Sequence, residues 1–235
     1  MLAIPSYIAA ASVVGKPLKH AWNDDEPDLE YQSDPRTERA ISAAANRAIL
    51  ALSAASAEWI AWRVSAAADS TPLFEAIEAA YAGVVDWRYV RPLDRKDAPW
   101  REKWHGPARG AISEAYFLLD RLIGDIRDES YLAEDATMLM KLARHVMPNP
   151  KPFRDWYRAA LARLVELHPK SLRDQDGAPV PRQACDPQRA YRAKDAPELL
   201  REYFAALDRK RNKLLATPAE MKKAGFTGTP YAIRL

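Results

Sequence analysis

Arg163 and His168 are separated by the four residues Leu-Val-Glu-Leu at the end of a segment with helical periodicity. A guanidinium beside an imidazole can do transfer chemistry, the ring moving a proton while the cation stabilises developing negative charge. Pro169 follows His168 directly, so the imidazole stands at a helix C-terminus. A cation is favoured there by the helix dipole with no catalytic task.

The other reactive side chains form no constellation. His20, His105, His145 and His168 are scattered, none three or four residues from another. Glu75 and Glu78 share a segment, but no Glu-x-x-His pair accompanies them, so neither a metal centre nor a cofactor is expected. Cys185 lies in the loop Gln-Ala-Cys-Asp-Pro-Gln beside Asp186, which would raise rather than lower its pKa, and reads as an incidental surface thiol. As the single cysteine, it excludes an internal disulfide and fits a reducing, cytoplasmic location. Gly15-Lys16 runs into Pro17, which is not a phosphate-binding loop.

The spacing of Arg163 and His168 resembles that of the HEPN ribonucleases, which are helical bundles. The resemblance implies transfer of an RNA 2′-hydroxyl onto the neighbouring phosphate, assisted by these two residues. The chain departs from the pattern at Leu164, where that family carries a polar residue. A nucleic-acid reading would also use the basic cluster Arg209, Lys210, Arg211 and Lys213, expected on the sixth helix, with Arg189, Arg192, Lys194 and Arg201 upstream. This is the alternative.

The main reading rests on docking. The stretch Trp87–Gly110 holds three of the seven tryptophans, three prolines, and seven Lys/Arg against three Asp/Glu. Trp, Arg and Tyr dominate protein interfaces because they bury large areas and add directional polar contacts. Trp87, Arg88, Arg91, Trp100, Arg101 and Trp104 are the candidates here. Trp22 with Asp24, Asp25, Glu26 and Asp28 forms a second, acidic candidate. Together they point to a protein partner met by docking, as in immunity proteins, antitoxins, adaptors or regulators.

The elements that must position these residues are helical. Gly is scarce (8), Pro frequent (18) and apolar residues make up 48 %, which favours helices ended by proline around a real core. After a largely irregular acidic stretch over 1–33, Asp34-Pro35 opens a long Ala-rich segment from Arg36 to about Ala67. Its stripe Ile41, Ala45, Ala48, Leu52, Ala55, Trp59 and Trp62, with apolar residues on the opposite face too, predicts a central helix contacted on several sides. Further helices are expected from Thr71 to Gly83 and over about 109–127, 130–147 and 153–167. Another should run from Asp195 through Leu215, and a last one opens at the capping box Thr217-Pro218-Ala219-Glu220. The fold class is therefore all-α, an irregular bundle of about seven helices in a single domain over 1–235.

A boundary could fall near 148–152, where proline density and charge both change. Residues 1–149 carry 17 basic and 22 acidic side chains, a net −5; residues 150–235 carry 18 and 10, a net +8. The two halves are expected to compensate one another. No apolar run is long enough to span a membrane. The stretch Ile8–Val14, preceded by no Lys or Arg and interrupted by Pro5 upstream, is not expected to be a secretory signal.

Overall fold

A computed structural model describes residues 2–24, 34–91 and 105–226. Nine α-helices order these residues: α1 Ser6–Ala11, α2 Pro35–Ile41, α3 Asn46–Val64, α4 Thr71–Gly83, α5 Gly106–Arg127, α6 Ala133–Val146, α7 Pro150–Leu167, α8 Ala196–Ala206 and α9 Pro218–Lys223. No strand forms among them; two isolated bridges, Ala44 to Pro169 and Val90 to Leu215, are the extended pairings. The chain is an all-α bundle.

The centre is α3, as its alanines predict, with α4, α5, α6 and α7 packed around it. Only Arg47 and Trp62 of its nineteen residues escape full burial. Small side chains let four helices approach one axis. Trp59 then fills the larger gap, in contact with the rings of Tyr7, Phe153 and Trp156 at centroid distances of 5.5–5.9 Å. The main core runs without interruption past residues 148–152, since Val146, Met147 and Phe153 all belong to it. A smaller cluster of Tyr89, Leu200, Phe204, Leu207, Leu215 and Met221 packs on the outer side of α4 through Ala79 and Ala82.

Two expected elements differ. The long helix from Arg36 is broken at 42–45, which separates α2 from α3. The break has a long-range cause. Ala45 N–H donates to the His168 carbonyl, Asn46 N–H to Gln175 and Arg47 N–H to Asp176, at 2.9–3.1 Å, while Lys170 N–H returns a bond to Ala43. The first amides of α3, orphans in any helix, are thus satisfied by the 168–176 loop in place of another helical turn. Likewise α8 stops at Ala206, and the basic cluster 209–213 lies in the turns beyond it rather than on a helix. Asn212 holds that turn by donating to the Glu75 carbonyl at 2.9 Å, and its own Oδ1 accepts Leu214 N–H.

Local signals held where the partners are close in sequence. Asp34 accepts Thr37 N–H ahead of Pro35, and Thr217 with Glu220 forms the full reciprocal capping box. The charge asymmetry is partly internal: Arg182 pairs with Glu58, and Arg211 with Glu78 at 2.8 Å, each linking the basic half to the acidic one. No helix among the described residues is long and apolar enough to cross a membrane.

Candidate functional site

Residues 12–24 form a strap over the open ends of α3, α5 and α6. Its anchor is Arg63, at the C-terminal end of α3 and 2 % exposed. Among the described residues this guanidinium has no carboxylate in reach of a bond; it donates to the carbonyls of Lys16 (2.5 Å), Pro17 (2.8 Å) and Val146 (3.1 Å). The Val146 carbonyl closes α6, so the cation also meets the negative end of that helix dipole. Burial lowers the Arg63 pKa.

Further along, two histidines fasten the strap. His145 Nε2 bonds the Ala21 carbonyl at 2.7 Å and His20 Nε2 the Pro107 carbonyl at 3.2 Å. A carbonyl only accepts, so both rings carry the proton on Nε2. The rings meet edge to face, centroids 5.3 Å apart. His20 Nδ1 is buried with no partner among the described residues, and burial, then His145 and Arg63, hold its pKa below the ordinary value while the Pro107 carbonyl pulls the other way. Among the described residues no three His, Cys, Asp or Glu side chains gather as they would around a metal.

The strap ends at Asp24, where two stretches of interest meet. Asp24 Oδ1 accepts the Gly106 N–H at 2.7 Å and the Trp22 indole N–H at 3.0 Å; its Oδ2 lies 3.5 Å from His105 Nδ1. His105, the N-cap of α5, supplies no side-chain cap of its own, so Asp24 does this from another segment. The Gly106 amide is the largest cause holding the Asp24 pKa below the usual range. Trp22 packs against Gly110, where any Cβ would collide with the indole. The acidic stretch and the Trp-rich connection are therefore joined at the base, Asp24 to Gly106. Asp25, Glu26, Asp28, Trp100, Arg101 and Trp104 lie outside the described residues.

Trp87, Arg88 and Arg91 serve a different place. Arg88 pairs with Asp86 at 2.7 Å, donates to the Gly225 carbonyl and sits over the rings of Trp87 and Phe226. Arg91 pairs with Glu220 at 3.0 Å, and its amide donates to Leu214. Both fasten the last described residues to the bundle. In the basic cluster, Arg209 donates to the Ala216 carbonyl and Arg211 is bound to Glu78, while Lys210 and Lys213 are exposed.

Arg163 and His168 both hold the loop after α7. Arg163 gives its two terminal nitrogens to the carbonyls of Asp186 (2.5 Å) and Pro187 (2.8 Å). His168 is 6 % exposed, lies 3.3 Å from the Tyr191 hydroxyl, and burial lowers its pKa. Cys185 corrects the surface reading: it is fully buried, its carbonyl accepts the Trp156 indole N–H, and burial drives its thiol pKa far upward. The short 3₁₀ turn Arg182–Cys185 tucks it against α7.

That turn also carries Arg182 to Glu58, which is wholly buried on α3. Arg182 Nε donates to Glu58 Oε1 at 2.8 Å and Nη2 to Oε2 and to the Ala3 carbonyl. A cavity of about 510 Å3 opens above it, between residues 3–7 and 182–189. A second, of about 390 Å3, lies across the ridge formed by Tyr7 and Gln188, against Trp156 and Ala159 of α7.

Comparison with protein-family models, with curated proteins and with solved structures gave no match. The site thus rests on geometry. The sequence carried no local signal for the His20–His145 pairing, the Asp24–Gly106 bond or the cavity beside Arg182, since each joins segments far apart in the chain.

Proposed function

We propose that this chain is a binding protein that docks onto a protein partner, of the immunity, antitoxin, adaptor or regulator kind, and does not act by catalysis. The observation that carries the reading is the Asp24–Gly106 bond with its attendant Trp22 and His105. It supports a single surface made of the acidic stretch Asp24–Glu30 and the aromatic, basic connection that ends at His105. Within it Trp22, Trp100, Arg101 and Trp104 are the residue types that supply interface hot spots. The carboxylates Asp24, Asp25, Glu26 and Asp28 would steer the surface toward a basic partner, such as the active-site face of a nuclease toxin. A reducing cytoplasm is the compartment this reading expects.

The RNA reading stands second, and one observation favours it: Lys210 and Lys213 are exposed on a turn of the basic half. Against it, Arg163 and His168 are both engaged with the 186–191 loop, and Arg209 and Arg211 with their own neighbours.

The test is affinity purification of the tagged chain from its native host, as wild type, as Trp22→Ala/Asp24→Ala, and as Lys210→Gln/Lys213→Gln. The docking reading expects one stoichiometric protein that survives high salt, is lost with the first variant and is kept by the second. Nucleic acid that washes off as salt rises and is lost with the second variant would overturn it in favour of RNA.

A further inference from the structure

The cavity beside Arg182 is remote in the chain from the Asp24 junction and independent of the docking reading. Its wall is unusual in holding unsatisfied groups of both kinds. Arg182 is fixed by the bidentate Glu58 pair and by the Ala3 carbonyl, which leaves its Nη1 with no bond among the described residues. A guanidinium fixed at one edge presents the other to a ligand with little loss of side-chain freedom. Arg189, exposed on the same wall, makes no side-chain bond there either. Opposite in sign, Asp186 accepts bonds from the Ser6 hydroxyl (2.9 Å) and the Gln188 amide (3.0 Å), both neutral, and makes no contact ion pair among the described residues. Gln183, also in the wall, has a buried Oε1 that accepts nothing among the described residues. Ile4, Pro5 and Tyr7 also line the cavity.

The charges sum close to zero. Arg182 is answered by Glu58 beneath it, and Arg189 by Asp186. A dianion such as phosphate would enter beside two carboxylates, whereas a ligand carrying one anion and one cation leaves every charge answered. At about 510 Å3 the space lies within the roughly 300–1,000 Å3 usual for small-molecule sites. We propose that this cavity binds a free α-amino acid with an apolar side chain. Its carboxylate lies on Arg182 Nη1 and Arg189, its ammonium on Asp186, and its side chain against Ile4, Pro5 and Tyr7.

The experiment is a thermal-shift and calorimetric titration of the full chain with leucine, methionine and phenylalanine. N-acetylleucine lacks the cation, leucine methyl ester lacks the anion, and inorganic phosphate is a bare anion; these serve as controls. At least one free amino acid should raise the melting midpoint by several degrees at concentrations far above its dissociation constant. Both blocked leucines should bind at least about tenfold more weakly, the loss of one charge-assisted contact. Arg189→Gln and Asp186→Asn lie at the rim and spare the Glu58 pair, and each should weaken binding about tenfold at an unchanged melting midpoint of the free protein. No response to any of the three amino acids overturns the proposal. So does N-acetylleucine binding as tightly as leucine, or phosphate binding where the amino acids do not.

Discussion

Asp24 caps a helix to which it does not belong: its Oδ1 accepts the Gly106 N–H at 2.7 Å, the first amide of α5. A helix N-terminus leaves its first N–H groups unpartnered, and a carboxylate there meets both the donors and the positive end of the dipole. The same oxygen takes the Trp22 indole, so one side chain fixes an aromatic and the start of α5 together. The strap is held upstream by Arg63 and His145, and Asp24 fastens its last described residue.

Gly110→Ala tests that packing. A methyl group at 110 meets the Trp22 indole, and overpacking of this kind costs about 1–3 kcal/mol. Because the strap lies at the surface, part of that cost can be escaped by releasing Trp22. Urea denaturation should show a loss at the lower end of the range, accompanied by faster hydrogen exchange at residues 20–24. Unchanged stability and exchange would mean that the indole does not rest on Gly110.

Glu58→Gln tests the buried pair. The variant leaves the Arg182 guanidinium, 21 % exposed, without its counter-charge. Removing one partner of a buried ion pair costs about 3–5 kcal/mol, and the lower end is expected here since Arg182 keeps the Ala3 carbonyl. Chemical denaturation is the measurement; a loss under about 1 kcal/mol would place the pair in effective contact with water.

Asp135 gives a pH signature. It is almost wholly buried, and Arg121 Nε lies 2.9 Å from its Oδ2 without the alignment of a hydrogen bond. Burial, against the pull of Arg121, raises its pKa to about 6. The folded protein then binds this proton before the unfolded chain, whose aspartates titrate near 4, so stability rises as pH falls from about 6 to about 4. Asp135→Asn should stabilise by roughly 2 kcal/mol above pH 7, with the advantage vanishing near pH 4. A difference that does not change with pH would contradict the assignment.

His20 acts in the opposite direction. Its pKa is lowered on folding, and a proton on Nδ1 would be buried without an acceptor among the described residues, facing His145 and Arg63. Neutral in the folded state, it costs stability once the pH falls below about 6.5, where the unfolded imidazole charges. His20→Gln keeps a donor for the Pro107 carbonyl but does not titrate. Wild type should therefore lose more stability than this variant between pH 7 and pH 5.5. His168, also lowered by burial, is present in both and cancels.

What the sequence made legible divides by distance along the chain. Asp34-Pro35 and Thr217-Glu220 marked helix starts because each cap closes within three residues. The Ala-rich stripe marked the centre of the bundle because burial on every side leaves no polar face to conceal. The break at 42–45 was illegible, since the carbonyls that make it come from His168, Gln175 and Asp176. The end of α8 was hidden for the same reason: Asn212 and Arg211 follow Glu75 and Glu78 rather than helical periodicity. Cys185 sits in a loop of polar and proline residues that gives no hint of the tryptophan above it. Of the candidate interface, Trp22 and Asp24 were legible as residue types, but their seat on Gly106 and Gly110 was not.

The central claim is that Asp24 and the connection ending at His105 form one docking surface, and site-directed photocrosslinking addresses it most directly. A photoreactive phenylalanine at Trp22, at Trp104 and, as a control, at the exposed Tyr131 would be irradiated in the native host. The account predicts that positions 22 and 104 crosslink the same protein and position 131 does not. Crosslinks to different proteins from 22 and 104, or to nucleic acid alone, would contradict it.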